Sequence, residues 1–274
     1  MKKKIKELKI FISLVYIFFL TFFNFINFNS AYALDAYSAS GPLKDIINKK
    51  DYTTYKGIKF IKKEKKKTVD GRLGDHSKKY EAIFYIFEAE YSNNDNIKIF
   101  VNSEFGNNEK IAKEAIKYSK MLGQVPNYLR KELQWVIIHG PWIDKAKCTC
   151  MWYAIRNKGI YIHTEMVPEQ QQQEVLIHEL AHVTIDSLYY NSANQPVWQQ
   201  AQKKDLNYIS GYAKKKPNVE DIAESVVAWV AVRCKKNRIS KSIYKSIINS
   251  IPNRLNILDN LIFNNSLHPL TCKK

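Results

Sequence analysis

The sequence predicts an α+β domain, and three observations support this prediction. Runs rich in aromatic and β-branched residues come first and are typical of strands. One segment between them has apolar residues at helical spacing. Several helical patterns then follow in succession, and one of them is apolar on nearly every side, so it is expected to be buried. The order of strands and one helix, followed by mostly helices, is typical of an α+β domain.

The first predicted elements are two strands and a helix. The runs at 80–91 and 97–105 are separated by "SNNDN", which favours a hairpin or two sequential strands. Apolar residues at helical spacing predict a helix over 107–126, which Gly123 and Pro126 close.

Strand patterns return after this helix and then give way to helices. Residues 133–140 predict one strand, and residues 150–165 predict two strands around the turn "NKG". Pro168 opens a helix that is expected to run to about Tyr190. A second helix starts at "PVWQQ", and "NVEDIAESVVAWVAVRCKK" predicts the buried one. The C-terminal part predicts two short amphipathic helices separated at Pro252.

The N-terminus has the pattern of a secretory signal peptide over residues 1–33. A basic start is followed by an apolar run from Ile10 to about Phe23 and then by the small-x-small end "AYA". A retained membrane anchor is the alternative, but the apolar run is short for a span and two asparagines interrupt its end. We therefore expect a secreted, extracellular protein with no stable membrane span after cleavage.

The chain is strongly basic, with a formal net charge of +17. Residues 34–79 are lysine-rich with little periodicity, so they are expected to be loosely structured, and residues 80–274 form the folded domain. The lysines could bind an anionic surface such as cell wall, lipid head groups or glycans, or they could be a solvated face. No recognition-helix pattern and no paired Cys/His finger is present, so nucleic acid is not an expected partner.

Four cysteines follow the signal peptide, and secretion permits disulfides. Cys148 and Cys150 are too close to pair comfortably with each other, so a bridge would join one of them to Cys234 or Cys272. A soft-metal pair at Cys148 and Cys150 would need further ligands, and none lies nearby in sequence. The pairing stays open.

The stretch "EVLIHELAHVTIDSLYY" (174–190) contains an H-E-x-x-H motif. His178 and His182 are four residues apart, so on a helix both imidazoles reach one metal ion, and Glu179 reaches a water molecule beside it. Two structural histidines are the alternative. The helix is otherwise mostly apolar, and a buried carboxylate beside two histidines is costly unless a cation satisfies it. The motif therefore predicts a zinc site.

A catalytic zinc site needs a third protein ligand. The three-histidine pattern H-E-x-x-H-x-x-G-x-x-H is excluded, because Ile185 and Leu188 stand where it requires glycine and histidine. Glu220 and Glu224 lie one turn apart on the apolar helix, so the first could bind the metal and the second could hydrogen-bond a ligand histidine. Two carboxylates on a solvent-exposed face are the alternative.

These segments resemble a known class of enzyme. "HELAHVTID" followed by "NVEDIAES" resembles the glutamate zincins, the class that includes thermolysin. Within that class, "ISGYAKKKPNVEDIAES" is similar to a segment of the lethal-factor-like peptidase domains and of the secreted Pro-Pro endopeptidases. The resemblance implies a zincin-like fold, in which a small mixed or antiparallel sheet packs on the HExxH helix and a mostly helical C-terminal part follows.

The resemblance also implies a chemistry. His178, His182 and Glu220 would bind Zn²⁺, and Glu179 would be the general base that activates water for hydrolysis of a peptide bond. The expected function is therefore that of a secreted zinc endopeptidase acting on a protein or peptide. The alternative is an inactive module with a zincin fold that binds an anionic surface. A toxin, a matrix protease and a cell-wall-associated protease are all consistent with the sequence.

Three further residues have implied roles. Tyr212 would hydrogen-bond the oxyanion, and Glu224 would support a ligand histidine. Asp186 matches a buried acid of the thermolysin-type motif. In zincins the substrate lies along an edge strand above the catalytic helix, and "GIYIHTE" is the expected edge strand. His163 on that strand could line the cleft, but a surface position is the more common one for a lone strand histidine.

Overall fold

A six-stranded mixed sheet forms the framework of the protein. The computed structural model describes residues 43, 45–73, 78–92, 95–140, 152–165 and 167–265. The strands lie in the order β1-β2-β3-β4-β6-β5, and only the pairs β3–β4 and β4–β6 are parallel. In chain order they are β1 (Tyr55–Thr68), β2 (Tyr80–Tyr91), β3 (Asn96–Asn102), β4 (Trp135–His139), β5 (Trp152–Ile155) and β6 (Gly159–His163).

One helix lies between β3 and β4 in the chain, and the other helices follow the strands, which is consistent with the α+β prediction. None of the helices within the described ranges is long and apolar enough to cross a membrane. They are α1 (Asn108–Gln124), α2 (Gln172–Thr184), α3 (Asp186–Tyr189), α4 (Gln195–Asp205), α5 (Gly211–Lys215), α6 (Asp221–Cys234), α7 (Lys241–Ser250) and α8 (Pro252–Asn265).

The sequence patterns and the observed helices agree closely for α1 and for α6. Asn107 caps α1 through a side-chain bond to the N–H of Lys110, and apolar residues at helical spacing bury one side of that helix. Almost every residue of α6 is buried, as its continuous apolar sequence predicts. The predicted helix from Pro168 instead begins with a 3₁₀ turn at Glu169–Gln171 and is interrupted at Ile185.

Alternate residues of the strands define the two faces of the sheet. Ile99, Ile138 and Ile162 point into the main core, where α1 and α2 pack. Ile137 and Tyr161 point to the other face, where they form a smaller separate cluster with Phe84, Ile86 and Phe100. The helix with the H-E-x-x-H motif therefore packs on one face only.

The expectation that residues 34–79 are loosely structured is wrong for much of that region. Residues 55–68 form β1, which pairs antiparallel with β2 along its length. Just before it, Leu43, Ile46 and Ile47 are buried in the main core. The lysines concealed the strand, because an edge strand with largely exposed faces tolerates lysine and is protected by it from pairing with other chains.

The prediction of an edge strand at "GIYIHTE" is also wrong. This segment forms β6, which pairs with β4 on one side and β5 on the other, and all five of its residues are buried. Among the described strands, β5, the other strand of the same hairpin, lies at this edge of the sheet, and β1 lies at the opposite edge. The hairpin pattern does not indicate which strand faces outward; the parallel pairing of β6 with the distant β4 decides it.

Two expectations concern residues outside this description. The signal peptide over 1–33 lies outside the described residues. Cys234 is disulfide-bonded, and the other three cysteines lie outside the described part of the chain, so the pairing is not assigned.

Candidate metal centre

Helix α2 places His178 and His182 side by side. The rest of the helix is almost entirely buried against the sheet and α6, so only the side that carries the imidazoles remains partly open. The two side chains keep 15% and 13% of their surface exposed, which leaves them accessible at the edge of the core. Sequence spacing alone would place them together, since residues four apart share a helix face.

Glu220 completes a triangle with these two histidines. It lies at the N-terminal cap of α6, and α6 packs directly against α2. Its Oε2 atom is 3.2 Å from Nε2 of His178 and 3.1 Å from Nε2 of His182. The two Nε2 atoms are 3.1 Å apart.

This triangle has the size and the chemistry of a zinc site. In a tetrahedral zinc site with bonds of about 2.0–2.1 Å, neighbouring ligand atoms lie about 3.3 Å apart. Two imidazole nitrogens and one carboxylate oxygen are donors that zinc commonly takes. The two histidines lie within α2 and Glu220 lies at the N-terminal cap of α6. Because these two helices pack against each other, the fold fixes the positions of the three side chains. The residues therefore fit a bound Zn²⁺ ion with one coordination position left open.

A carboxylate stands behind each imidazole. Oε1 of Glu224 is 3.0 Å from Nδ1 of His178, and Oδ2 of Asp186 is 2.7 Å from Nδ1 of His182. An acceptor at Nδ1 fixes the tautomer in which the Nε2 lone pair faces the middle of the triangle. Arg156, on the turn after β5, donates to the same Asp186 oxygen from Nη2 at 3.0 Å. Both imidazoles are thus oriented towards one point.

Charge in the centre favours a cation. Burial alone would lower the pKa of each histidine, but the carboxylates outweigh it and raise the pKa of His178 to about 10 and that of His182 to about 9. Burial likewise opposes ionisation of Glu220, but the two histidines hold the pKa of this carboxyl well below its usual range. A divalent cation supplies the positive charge that this arrangement stabilises.

Glu179 and Tyr212 flank the triangle. Glu179 is 8% exposed, and burial raises the pKa of its carboxyl, with the neighbouring histidines opposing. Tyr212 on α5 is partly buried, and burial together with the nearby Glu220 raises the pKa of its hydroxyl, so it keeps its proton. Lys216 Nζ lies 3.4 Å from the same hydroxyl oxygen.

A buried network fixes the start of α6 and so positions Glu220. Its neighbour Asp221 is fully buried and accepts hydrogen bonds from Trp198 Nε1 and Gln202 Nε2, both at 2.8 Å. Arg254 of α8 also donates to this carboxylate. Because Asp221 directly follows Glu220, the network restrains the direction of the Glu220 carboxylate. The sequence analysis did not identify this role, since the partners Trp198, Gln202 and Arg254 come from other helices.

The sequence analysis also missed a second cluster of side chains with metal-binding donor atoms. His163, expected at the surface or in the cleft, is fully buried on the sheet face opposite to α2. There it lies near His139 and Asp70, and the three form a group that could hold a metal ion. The sequence does show that His139 and His163 each end a predicted strand. That observation predicts their proximity only if the two strands are known to be parallel neighbours.

Comparisons of the chain with known protein families, with curated proteins and with solved structures found no match.

Proposed function

We propose that the protein is a secreted zinc-dependent endopeptidase with a zincin-like fold of the glutamate-zincin type. One observation carries the proposal: the Nε2 atoms of His178 and His182 and the Oε2 atom of Glu220 form a triangle with edges of 3.1–3.2 Å. The acid Glu179, next to one ligand on the same helix, supports a hydrolytic role for this site.

The three ligands would hold Zn²⁺, with Glu224 and Asp186 as the acceptors that orient the imidazoles. When bound, zinc supplies Lewis acidity, which polarises a scissile carbonyl and lowers the pKa of a water molecule towards about 7. The chain itself provides the remaining steps.

Glu179 would act as general base and then as general acid. Its carboxylate takes a proton from the attacking water and delivers that proton to the nitrogen of the leaving amine. The neutral Tyr212 hydroxyl donates a hydrogen bond to the oxygen that becomes negatively charged during attack. Its raised pKa supports this donor role, because the hydroxyl stays protonated at neutral pH.

The substrate would bind as an additional strand next to β5. Among the described strands, β5 lies at one edge of the sheet. Helix α2, which packs on one face of the sheet, contacts this strand directly. An extended peptide can pair its backbone with the free edge of such a strand, and side-chain pockets then give specificity. The edge position of β5 supports this mode of binding.

Location and surface charge are part of the proposal. The signal-peptide pattern of residues 1–33 and the disulfide at Cys234 both support an oxidising, extracellular compartment. The largely exposed β1 carries a row of lysines, which supports attachment to an anionic cell or matrix surface.

A peptide-library digestion tests the function. We expect the zinc-loaded protein to cleave a general peptide library, and Glu179→Ala to lose about 10²–10⁴-fold or more of that activity while it keeps zinc. Glu169→Ala is the matched control, because Glu169 precedes the same helix but is exposed and paired with Lys49. Cleavage that survives Glu179→Ala would contradict the proposal. Binding to anionic surfaces without any cleavage would favour the inactive module.

A further inference from the structure

The second ligand cluster lies on the sheet face that α2 does not cover. His139 ends β4 and His163 ends β6, and the two residues are paired across parallel strands. Because the carboxyl ends of parallel strands meet at one edge of a sheet, both imidazoles lie at that edge. Asp70, two residues after β1, completes the cluster, and all three side chains are buried.

The distances in the cluster suit ligands better than hydrogen-bond partners. Asp70 Oδ2 is 3.6 Å from Nδ1 of His139, and Asp70 Oδ1 is 3.7 Å from Nε2 of His163. Both distances exceed those of hydrogen bonds. They are close to the separation of about 3.3 Å between ligand atoms around a tetrahedral zinc ion. Small side-chain shifts would bring the three atoms around one ion, since all of them lie within 4.8 Å of one another.

One ring nitrogen of His139 lacks a hydrogen bond of normal geometry, although the Val69 backbone interacts with the imidazole. Buried polar atoms are normally hydrogen-bonded, yet its Nε2 has no hydrogen-bond partner among the described residues. Its Nδ1 lies 3.2 Å from Nδ2 of Asn102, whose own carbonyl oxygen accepts the N–H of Glu104. That second bond orients the amide, so Asn102 presents an N–H to His139. Nδ1 therefore carries the lone pair, on the side of Asp70, and an ion bound at this atom would replace the hydrogen bond from Asn102.

Arg72 positions Asp70 without saturating it. Its Nε donates to Oδ1 at 2.9 Å and its Nη2 to Oδ2 at 2.6 Å, so Oδ2 keeps a second lone pair for an ion. The same guanidinium also pairs with Glu104 at 3.0 Å. Asp70, Arg72 and Glu104 together carry a net charge of −1; Asp70 and Arg72 are buried, whereas the Glu104 side chain keeps 30% of its surface exposed. A cation beside Asp70 would offset the remaining negative charge.

We propose that Asp70, His139 and His163 bind a divalent transition-metal ion, with Zn²⁺ as an ion that this donor set suits. The ion would join the segment after β1 to the ends of β4 and β6. It would be separated from the proposed catalytic zinc by the sheet, and its role would be structural.

Metal content of the full chain tests this proposal independently of peptidase activity. His178→Ala removes a ligand of the first centre, so the dialysed, zinc-loaded variant is expected to keep one Zn²⁺ per chain. Adding Asp70→Asn should weaken that binding by more than about 10- to 100-fold, because a ligand is lost and not merely an outer partner. Tyr161→Phe on the His178→Ala background is the matched control: its hydroxyl bonds Thr68 beside the cluster but supplies no ligand, so the zinc should stay.

A folded His178→Ala variant that retains no zinc would overturn the proposal and would indicate that a proton balances the cluster. Zinc retention that Asp70→Asn and His163→Gln both leave unchanged would overturn it equally. If these buried substitutions prevent folding, crystals of the wild-type chain grown with Zn²⁺ decide. An anomalous peak within bonding distance of His139 and His163 supports the site, and the absence of such a peak refutes it. Failure of zinc to occupy the first centre would leave this result unaffected.

Discussion

We expect the buried carboxyl of Glu174 to make the stability of the protein depend on pH. It lies in the first turn of α2 and is 8% exposed. One carboxylate oxygen accepts the N–H of Ile46 at 2.9 Å, and the other has no hydrogen-bond partner among the described residues. Burial, partly opposed by backbone hydrogen bonds, raises the pKa of this carboxyl to about 7 from the ordinary 4.5.

The direction of the pH dependence follows from whether the folded or the unfolded protein loses the Glu174 proton first. As the pH rises above 4.5 the unfolded chain ionises Glu174 while the folded protein keeps the proton, so unfolding becomes easier. The contribution to stability is complete below pH 4.5 and is lost as the pH rises through about 7. At about 1.4 kcal/mol per pH unit, the difference amounts to about 3 kcal/mol.

The perturbation is Glu174→Gln, which keeps an oxygen for Ile46 but cannot ionise. Relative to wild type, we expect the variant to gain about 2 kcal/mol or more of unfolding free energy between pH 5 and pH 8. Urea unfolding followed by circular dichroism, at matched zinc concentration, measures this difference. Glu90→Gln, at an exposed position of β2, serves as the control. A Glu174→Gln advantage that is the same at pH 5 and pH 8 would refute the reasoning.

Four further substitutions test the candidate metal centre and its surroundings. Glu220→Ala should remove the zinc of this centre, whereas Glu224→Ala should weaken its binding by about 10- to 100-fold, and metal titrations separate the two results; unchanged zinc content in Glu220→Ala would refute its assignment as a ligand. Tyr212→Phe should lower kcat by about 10²–10³-fold with little change in zinc content or KM, because only the transition state uses its hydroxyl; a purely raised KM would contradict this role. Asp221→Ala should lower the free energy of unfolding in urea by about 3 kcal/mol or more, because it removes a buried partner of Arg254. The same substitution should weaken zinc binding. Unaltered stability would contradict the positioning network.

Local patterns predicted the parts of the site that local geometry determines. His178, Glu179 and His182 lie within one turn of α2, so helical periodicity alone brings them together. Glu220 required a second helix to pack against the first at the correct height. The buried character of "IAESVVAWVAV" and a family resemblance pointed to it, but the 3.1–3.2 Å triangle depends on packing that no single segment encodes.

Long-range pairing explains what the sequence did not reveal. The lysines of 59–67 suppressed the strand signal of β1, although an edge strand tolerates them. The hairpin of β5 and β6 could face either way until β6 paired with β4. The same parallel pairing places His139 beside His163, which are far apart in the chain. Their proximity therefore follows from the topology of the sheet and not from any local motif.

Anomalous diffraction at the zinc edge, from crystals of the wild-type protein grown with Zn²⁺, tests the central claim most directly. The account predicts a peak about 2.0–2.2 Å from Nε2 of His178, Nε2 of His182 and Oε2 of Glu220. Crystals that show these three atoms in their present positions and no zinc peak among them would contradict it.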